Sequence, residues 1–583
     1  MAFLNEEEEL RYGKKTKERR GRRSSRLAPV LVALLLIILV GAAGVITSAI
    51  RRYTPSDARM DLTDYYQQSS DNELSLVLQD TIADVKGKIE DGVAYIPYSV
   101  ITQELEGRFY WDQETQQMLY TMPTEVLNIQ PESNTYQLGG ESVTEDYSIV
   151  RQIDGEYYIA LDFLEQYMEI QGTVYEDPAR AVILYKWGTV KTVQASEETQ
   201  VRYQGGIKSP ILKDLEKGEQ MLLLEELDNW SRVMTQDGID GYVENSALSA
   251  PEETEYAYTG SYEENFTSLT RDHKINLAWH QVTSEAANQA FASDTQNMTG
   301  VNVISPTWFS VTSTQGNISS LASSDYVSQA HAKGLEVWGL IDNFNDEVST
   351  LDTLSVRSAR QHIIEMLLSE AKRVDMDGIN VDFEALTEEE APHFIQFIRE
   401  LSVACRNNGL VLSVDNPVPQ YTVFYNRKEQ GIVADYVIIM GYDEHTVGSE
   451  TAGSVASLPF VEEGITQTLS EVPKEKVING IPFYTRLWTE ANNGMVTSEV
   501  CSMDQADAYV EEYNMEVYWN TDVSQNYAEA VTDSGVLKMW LEDEKSLEEK
   551  MKLIQEYELA GVAEWKLGFE RDDVWQIISN YVQ

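Results

Sequence analysis

Cysteine is almost absent: Cys405 and Cys501 are the only two in 583 residues. That excludes a disulfide-stapled scaffold, and the helix-like run Leu-Ser-Val-Ala-Cys-Arg around Cys405 predicts a buried free thiol. Histidine is scarce too. His273, His280, His331, His362, His393 and His445 show no ligand spacing, so neither a structural nor a catalytic metal is expected. Cations are few beside anions, 44 Lys and Arg against 96 Asp and Glu, for a net charge of −52. Residues 1–52 hold eleven Lys and Arg against five Glu, which leaves −58 on the remainder. A chain of that sign does not bind nucleic acid through phosphate contacts, and most of the excess is an ordinary solvated surface.

Long apolar runs are missing except for one. Leu27 to Ile50 is almost wholly apolar and long enough to cross a bilayer as a helix. It follows a basic cluster from Lys14 to Arg26, so residues 1–26 are expected in the cytoplasm and the chain after about Arg52 outside. A cleaved signal peptide is the competing reading. The run exceeds a usual signal core, and Thr47-Ser48-Ala49-Ile50-Arg51-Arg52 is a poor cleavage site, so an anchor is expected.

The length predicts several domains. Residues 51–90 are polar, with a short amphipathic stretch from Leu74 to Val85, and are expected to be a stalk or a short helix on one. Residues 91–186 repeat internally. Ala94 to Ile101 is answered by Tyr157 to Leu164, and each is followed by a strand pair around an acidic turn, so a small domain of two similar halves is expected. The pattern resembles the N-terminal-like domain of copper amine oxidases; it names no catalytic residue and gives no reason to expect copper. Residues 187–249 place short alternating strands between Gly and Asp turns, which predicts a small barrel. Gly188-Thr189-Val190, Asn229-Trp230-Ser231 and Asp237-Gly238-Ile239-Asp240-Gly241-Tyr242-Val243 resemble a bacterial SH3 domain. Such modules contact cell-wall peptides or act as spacers, and no sequence feature marks a ligand groove. A linker is expected at 250–272.

From residue 273 the periodicity becomes β-α. Eight apolar strands are expected at 274–279, 301–305, 335–340, 378–383, 410–414, 436–440, 477–481 and 562–565, most separated by helix-like stretches. Eight is the count for a (β/α)8 barrel, whose functional groups stand at the C-terminal strand ends. The fourth strand is the most informative. Residues 377–384 read Asp-Gly-Ile-Asn-Val-Asp-Phe-Glu, so Asn380, Asp382 and Glu384 project to one face with Glu384 last. Carboxylates that close raise one another's pKa, which lets Glu384 stay protonated as a general acid beside an ionised Asp382. That pairing suits cleavage of a glycosidic bond.

This octapeptide resembles the Asp-Gly-x-Asp-x-Asp-x-Glu motif of glycoside hydrolase family 18, the chitinase-like hydrolases, over about the last 310 residues. The resemblance implies substrate-assisted retaining catalysis, in which the sugar's own acetamido oxygen attacks the anomeric carbon. It makes Glu384 the acid and then the base, and Asp382 the group that orients the acetamide. Met440-Gly441-Tyr442-Asp443 matches the family's sixth strand, where Tyr442 donates to the acetamido oxygen and Asp443 and Met440 bind the sugar. Trp565 matches the tryptophan floor, and Asp377 and Gly378 complete the motif structurally. One departure stands out: the family's middle Asp is Asn380, so Asp382 is expected to hydrogen-bond a neutral amide. This variant resembles the spore-cortex and cell-wall lytic branch. The combined expectation is a membrane-anchored, cofactor-free hydrolase of a GlcNAc polymer, peptidoglycan first. Chitin or another glycan, or a non-catalytic glycan-binding scaffold, are the alternatives.

Overall fold

The computed structural model describes residues 28–582, and the basic tail expected at 1–26 lies outside them. The apolar run forms α1, Ala28–Tyr53. Its side chains are exposed all round, and among the described residues it is the one helix long and apolar enough to cross a bilayer.

The expected stalk is not one. Ser56 donates its N–H to Ile207 O at 2.7 Å, Ile211 to Ala58 O at 2.8 Å and Met60 to Ile211 O at 3.0 Å, so the chain joins the edge of the sheet of residues 188–256 almost as soon as α1 ends. Residues 73–78 and 81–90, where a helix was the alternative, form an antiparallel strand pair. The reason is a period of two. Leu74, Leu76 and Leu78 fill one core while Val77, pointing the other way, packs against Met234. These strands belong to a seven-stranded sheet in the order 171–175, 180–184, 73–78, 81–90, 93–97, 156–160, 150–153. The internal repeat shows as two strand-helix units, 93–97 with 98–103 and 156–160 with 161–167. Their strands pair antiparallel with Ile96 opposite Ile159.

The next unit is an antiparallel sheet of short strands between residues 188 and 256. Its last strand, Glu252–Tyr256, pairs with Gly188–Gln194 and takes five residues from the expected linker. The rest of that segment lies against its neighbours. Ser268 and Leu269 donate to Asp435, and Arg271 pairs with Glu336 at 2.7 Å.

The C-terminal barrel has the eight parallel strands expected: β1 Ile275–His280, β2 Val303–Val311, β3 Glu336–Asp342, β4 Gly378–Asp382, β5 Val411–Pro417, β6 Tyr436–Met440, β7 Val477–Pro482 and β8 Gly561–Trp565. Each pairs with the next, and β8 closes on β1 with Ala278 opposite Glu564. Around it lie α2 Arg357–Val374, α3 Ala391–Asn408 and α4 Arg427–Val433. The sequence reading did not separate out an insertion between β7 and β8. Residues 484–541 form a five-stranded antiparallel sheet backed by the helix Met503–Glu512, with Cys501 buried in its core. After β7 the chain turns at buried Phe483, whose N–H donates to Trp565 O at 2.7 Å.

Candidate active site

Site geometry begins with the base of β4. Asp377 accepts from the Val337 N–H at 2.8 Å and from His331 at 2.9 Å, which ties the start of β4 to β3. A Cβ on Gly378 would lie 2.7 Å from Trp338 Cδ1, so only glycine fits. These two residues set the strand; they stand at the end opposite the chemistry.

Asn380, fully buried inside the barrel, uses all of its hydrogen-bonding capacity. Its Oδ1 accepts from Trp279 Nε1 and Ser305 Oγ, each at 3.0 Å. Its Nδ2 donates to Ser413 Oγ at 3.0 Å and Asp415 Oδ1 at 2.8 Å. The expected Asn380 to Asp382 bond is therefore not made. Asp415, at the end of β5, takes the amide instead. An aspartate at position 380 would bring its carboxylate against that of Asp415, whereas the amide offers Asp415 a donor.

Asp382 is buried, and its Oδ1 has no hydrogen-bond partner among the described residues. Burial raises its pKa well above the ordinary carboxylate range, and the charges of Asp415, Glu384 and Asp342 raise it further. Asp415 is likewise raised by burial, with the Asn380 hydrogen bond acting against it. Asp382 thus does share its surroundings with a second carboxylate, one contributed by β5 rather than by β4.

Glu384 lies two residues beyond the strand, and side chains from two loops and from α3 fix the backbone at Phe383 and Glu384. Its N–H donates to Asn343 Oδ1 at 2.9 Å, and Asn343 Nδ2 returns a bond to Glu384 O at 3.0 Å. Just before it, Phe383 stacks on Phe394 and Phe397 of α3, and Tyr425 Oη donates to Phe383 O at 3.1 Å. Burial raises the Glu384 pKa, helped by Asp443 and Asp342, so the carboxyl holds its proton above the usual range.

Opposite, Tyr442 is buried with its ring edge-on to Tyr484 at 6.2 Å, and burial keeps its hydroxyl protonated. Tyr484 donates to Asp443 Oδ1 at 2.6 Å. Trp565 at the end of β8 meets Trp279 edge-on at 6.0 Å. Asp382, Glu384, Met440, Tyr442, Asp443 and Trp565 line one cavity of about 240 Å³, together with Trp279, Phe344, Asp415, Pro417, Val418 and Tyr421. Asn380 supports it from below.

Sequence reasoning missed Asp415, Trp279, Phe344 and Tyr421. The signal for Asp415 was present: Val411-Leu412-Ser413-Val414-Asp415 sets polar side chains at period two inside an apolar strand, the same pattern that marks Asn380 and Asp382. Phe344 and Tyr421 stand on loops after β3 and β5, where no periodicity points to a cleft.

Residues 324–570 match Glycosyl hydrolases family 18. The barrel belongs to that family. Residues 77–183 match the copper amine oxidase N-terminal domain, which places the start of that unit within the expected stalk. Among curated proteins, the "Uncharacterized glycosylase YvbX" of Bacillus subtilis (strain 168) is 27% identical over 279 residues, 45% of this chain and 80% of that protein. The cortical fragment-lytic enzyme of the same organism is 24% identical over 246 residues, 41% of this chain and 57% of that protein. The chain thus spans little more than half the length of the second relative. The solved spore cortex-lytic enzyme SleL of Bacillus cereus is 20% identical, with a TM-score of 0.49 over 53% of this chain and 74% of that one. A chitinase of Chromobacterium violaceum is 23% identical, with a TM-score of 0.47 over 52% of this chain and 98% of that one.

Proposed function

We propose that this family 18 barrel cleaves β-1,4 bonds of a GlcNAc-containing cell-wall polymer, peptidoglycan first, by substrate-assisted retaining catalysis. The observation that carries the proposal is the gathering of Glu384, Asp382, Tyr442 and Trp565 around one cavity. At about 240 Å³ the cavity is smaller than the ~300–1,000 Å³ of sites that enclose a drug-sized ligand, which suits a single sugar unit of a longer chain. Glu384 protonates the leaving oxygen as the 2-acetamido oxygen attacks the anomeric carbon. Asp382 and the Tyr442 hydroxyl hold the acetamide and stabilise the oxazolinium ion. Glu384, now ionised, takes a proton from the water that opens the ring, which restores the starting state. The Trp565 indole offers a flat apolar floor to the sugar.

The choice of a wall polymer is supported by the cortex-lytic relatives, together with α1, which we take as a single-pass anchor that leaves the barrel outside the cell. The test is digestion of vegetative and cortex peptidoglycan and of chitin oligomers by the chain, with mass analysis of new reducing ends. New GlcNAc reducing ends from peptidoglycan support the proposal. Cleavage of chitin alone moves the substrate, and binding without cleavage leaves a scaffold.

The carboxylate arrangement predicts a pH effect. Asp415→Asn removes a negative charge that raises the Asp382 pKa, so Asp382 ionises at lower pH. Because Asp382, Asp415 and Glu384 titrate together, the kcat/KM profile should then move to lower pH. An unmoved profile would remove Asp415 from this role.

A further inference from the structure

We infer that the amine-oxidase-like domain is a clamp on the catalytic strand, with Arg108 and Tyr110 as positioning residues for Asp382 and Glu384. The inference rests on the glycosidase reading above.

The contact between this domain and the barrel is not a polar surface touch. Arg108 and Glu429 are both buried, and Arg108 Nε reaches Glu429 Oε1 at 2.7 Å. The same oxygen accepts from Arg399 Nε at 2.7 Å, and Arg108 also pairs with Glu264 at 2.5 Å. Two residues further along the chain, on the strand Phe109–Asp112, Tyr110 Oη lies 2.6 Å from His393 Nδ1, and the Arg360 guanidinium stands over its ring at 5.0 Å. Apart from Arg360, which lies on α2, the barrel partners belong to α3 and α4, the helices beside the active strand. His393 and Arg399 lie on α3, which supplies Phe394 and Phe397 to the stack on Phe383. Glu429 lies on α4, which begins just after Tyr425, the donor to Phe383 O at 3.1 Å. Phe383 is the residue between the two catalytic carboxylates. The domain therefore grips the two elements that hold Phe383, and through it the direction of Asp382 on one side and Glu384 on the other.

Burying paired charges is costly unless the geometry is kept, so this interface favours one docked arrangement over a sliding one. Reacting groups displaced by about 1 Å can lose about 10²-fold in rate. A contact that fixes Phe383 acts on turnover more than on binding, because the sugar floor Trp565 stands at the end of β8, away from the Phe383 stack.

The experiment compares Arg108→Met, Arg108→Lys, Tyr110→Phe and Glu114→Gln in the full chain. Glu114 is the control, since it docks the same domain through Ser358 of α2, which supplies nothing to the Phe383 stack. Arg108→Met and Tyr110→Phe should lower kcat about 10-fold or more with KM within about twofold, Arg108→Lys should recover part of the loss, and Glu114→Gln should keep kcat. Amide exchange gives a readout that does not need turnover: the Glu384 N–H, bonded to Asn343, should exchange faster in the first and third variants. Unchanged kcat and exchange in those two, or losses in all four that simply follow melting temperature, overturn the inference. An inactive wild type would instead sink the glycosidase reading, and exchange at Glu384 would still decide the clamp.

Discussion

Glu384→Gln is expected to lower cleavage by about 10²–10⁴-fold, the range typical of removing a general acid and base, while binding of the glycan changes by only a few fold. The amide keeps the shape of the side chain, and the backbone bonds from Asn343 do not involve the carboxyl, so the loop should stay in place. The loss falls on both halves of the reaction, because the same group protonates the leaving oxygen and later activates water. Rate on soluble GlcNAc oligomers and affinity by titration calorimetry check the two parts separately. Equal loss of binding and turnover would mean that Glu384 holds the sugar rather than moving a proton.

Tyr442→Phe is the second large effect, with kcat expected to fall by about 10²–10³-fold, the loss seen when one donor to a developing charge is removed. Phenylalanine preserves the edge-on packing against Tyr484. Melting temperature should therefore hold while turnover collapses. Burial keeps the Tyr442 hydroxyl protonated, so the defect should be flat across the pH range rather than confined to one limb. A loss of stability comparable to the loss of rate would assign Tyr442 to the core.

Most of the barrel was legible in the sequence. Its strands are short apolar runs separated by helices, and parallel strands covered on both sides leave that mark clearly. The octapeptide brought Asp382 and Glu384 to one cavity because alternation along a strand is a local rule. Asn380 shows where local rules end. Its neighbours in sequence do not reveal that Trp279, Ser305, Ser413 and Asp415, from three other strands, meet its amide, and the expected bond to Asp382 gave way to that convergence. The same limit hid the hairpin at 73–90, which draws its stability from a domain whose other strands lie up to a hundred residues away. Polar composition around it suggested a tether. The alternation of Leu74, Leu76 and Leu78 was the better guide.

Only Thr54 and Pro55 separate the end of α1 from Ser56, which bonds to Ile207 beside the sheet of residues 188–256, and Lys208 there already donates to the carbonyls of Arg51 and Thr54. That sheet is fixed to the next domain by Tyr65, Tyr66 and Arg180, and that domain to the barrel by the clamp. With α1 as the anchor proposed above, the connection would be a bracket rather than a leash. On that proposal the cleft would work at one height above the bilayer, so a glycan strand would be within range by virtue of where it lies, and strands in outer layers of the wall would pass out of reach.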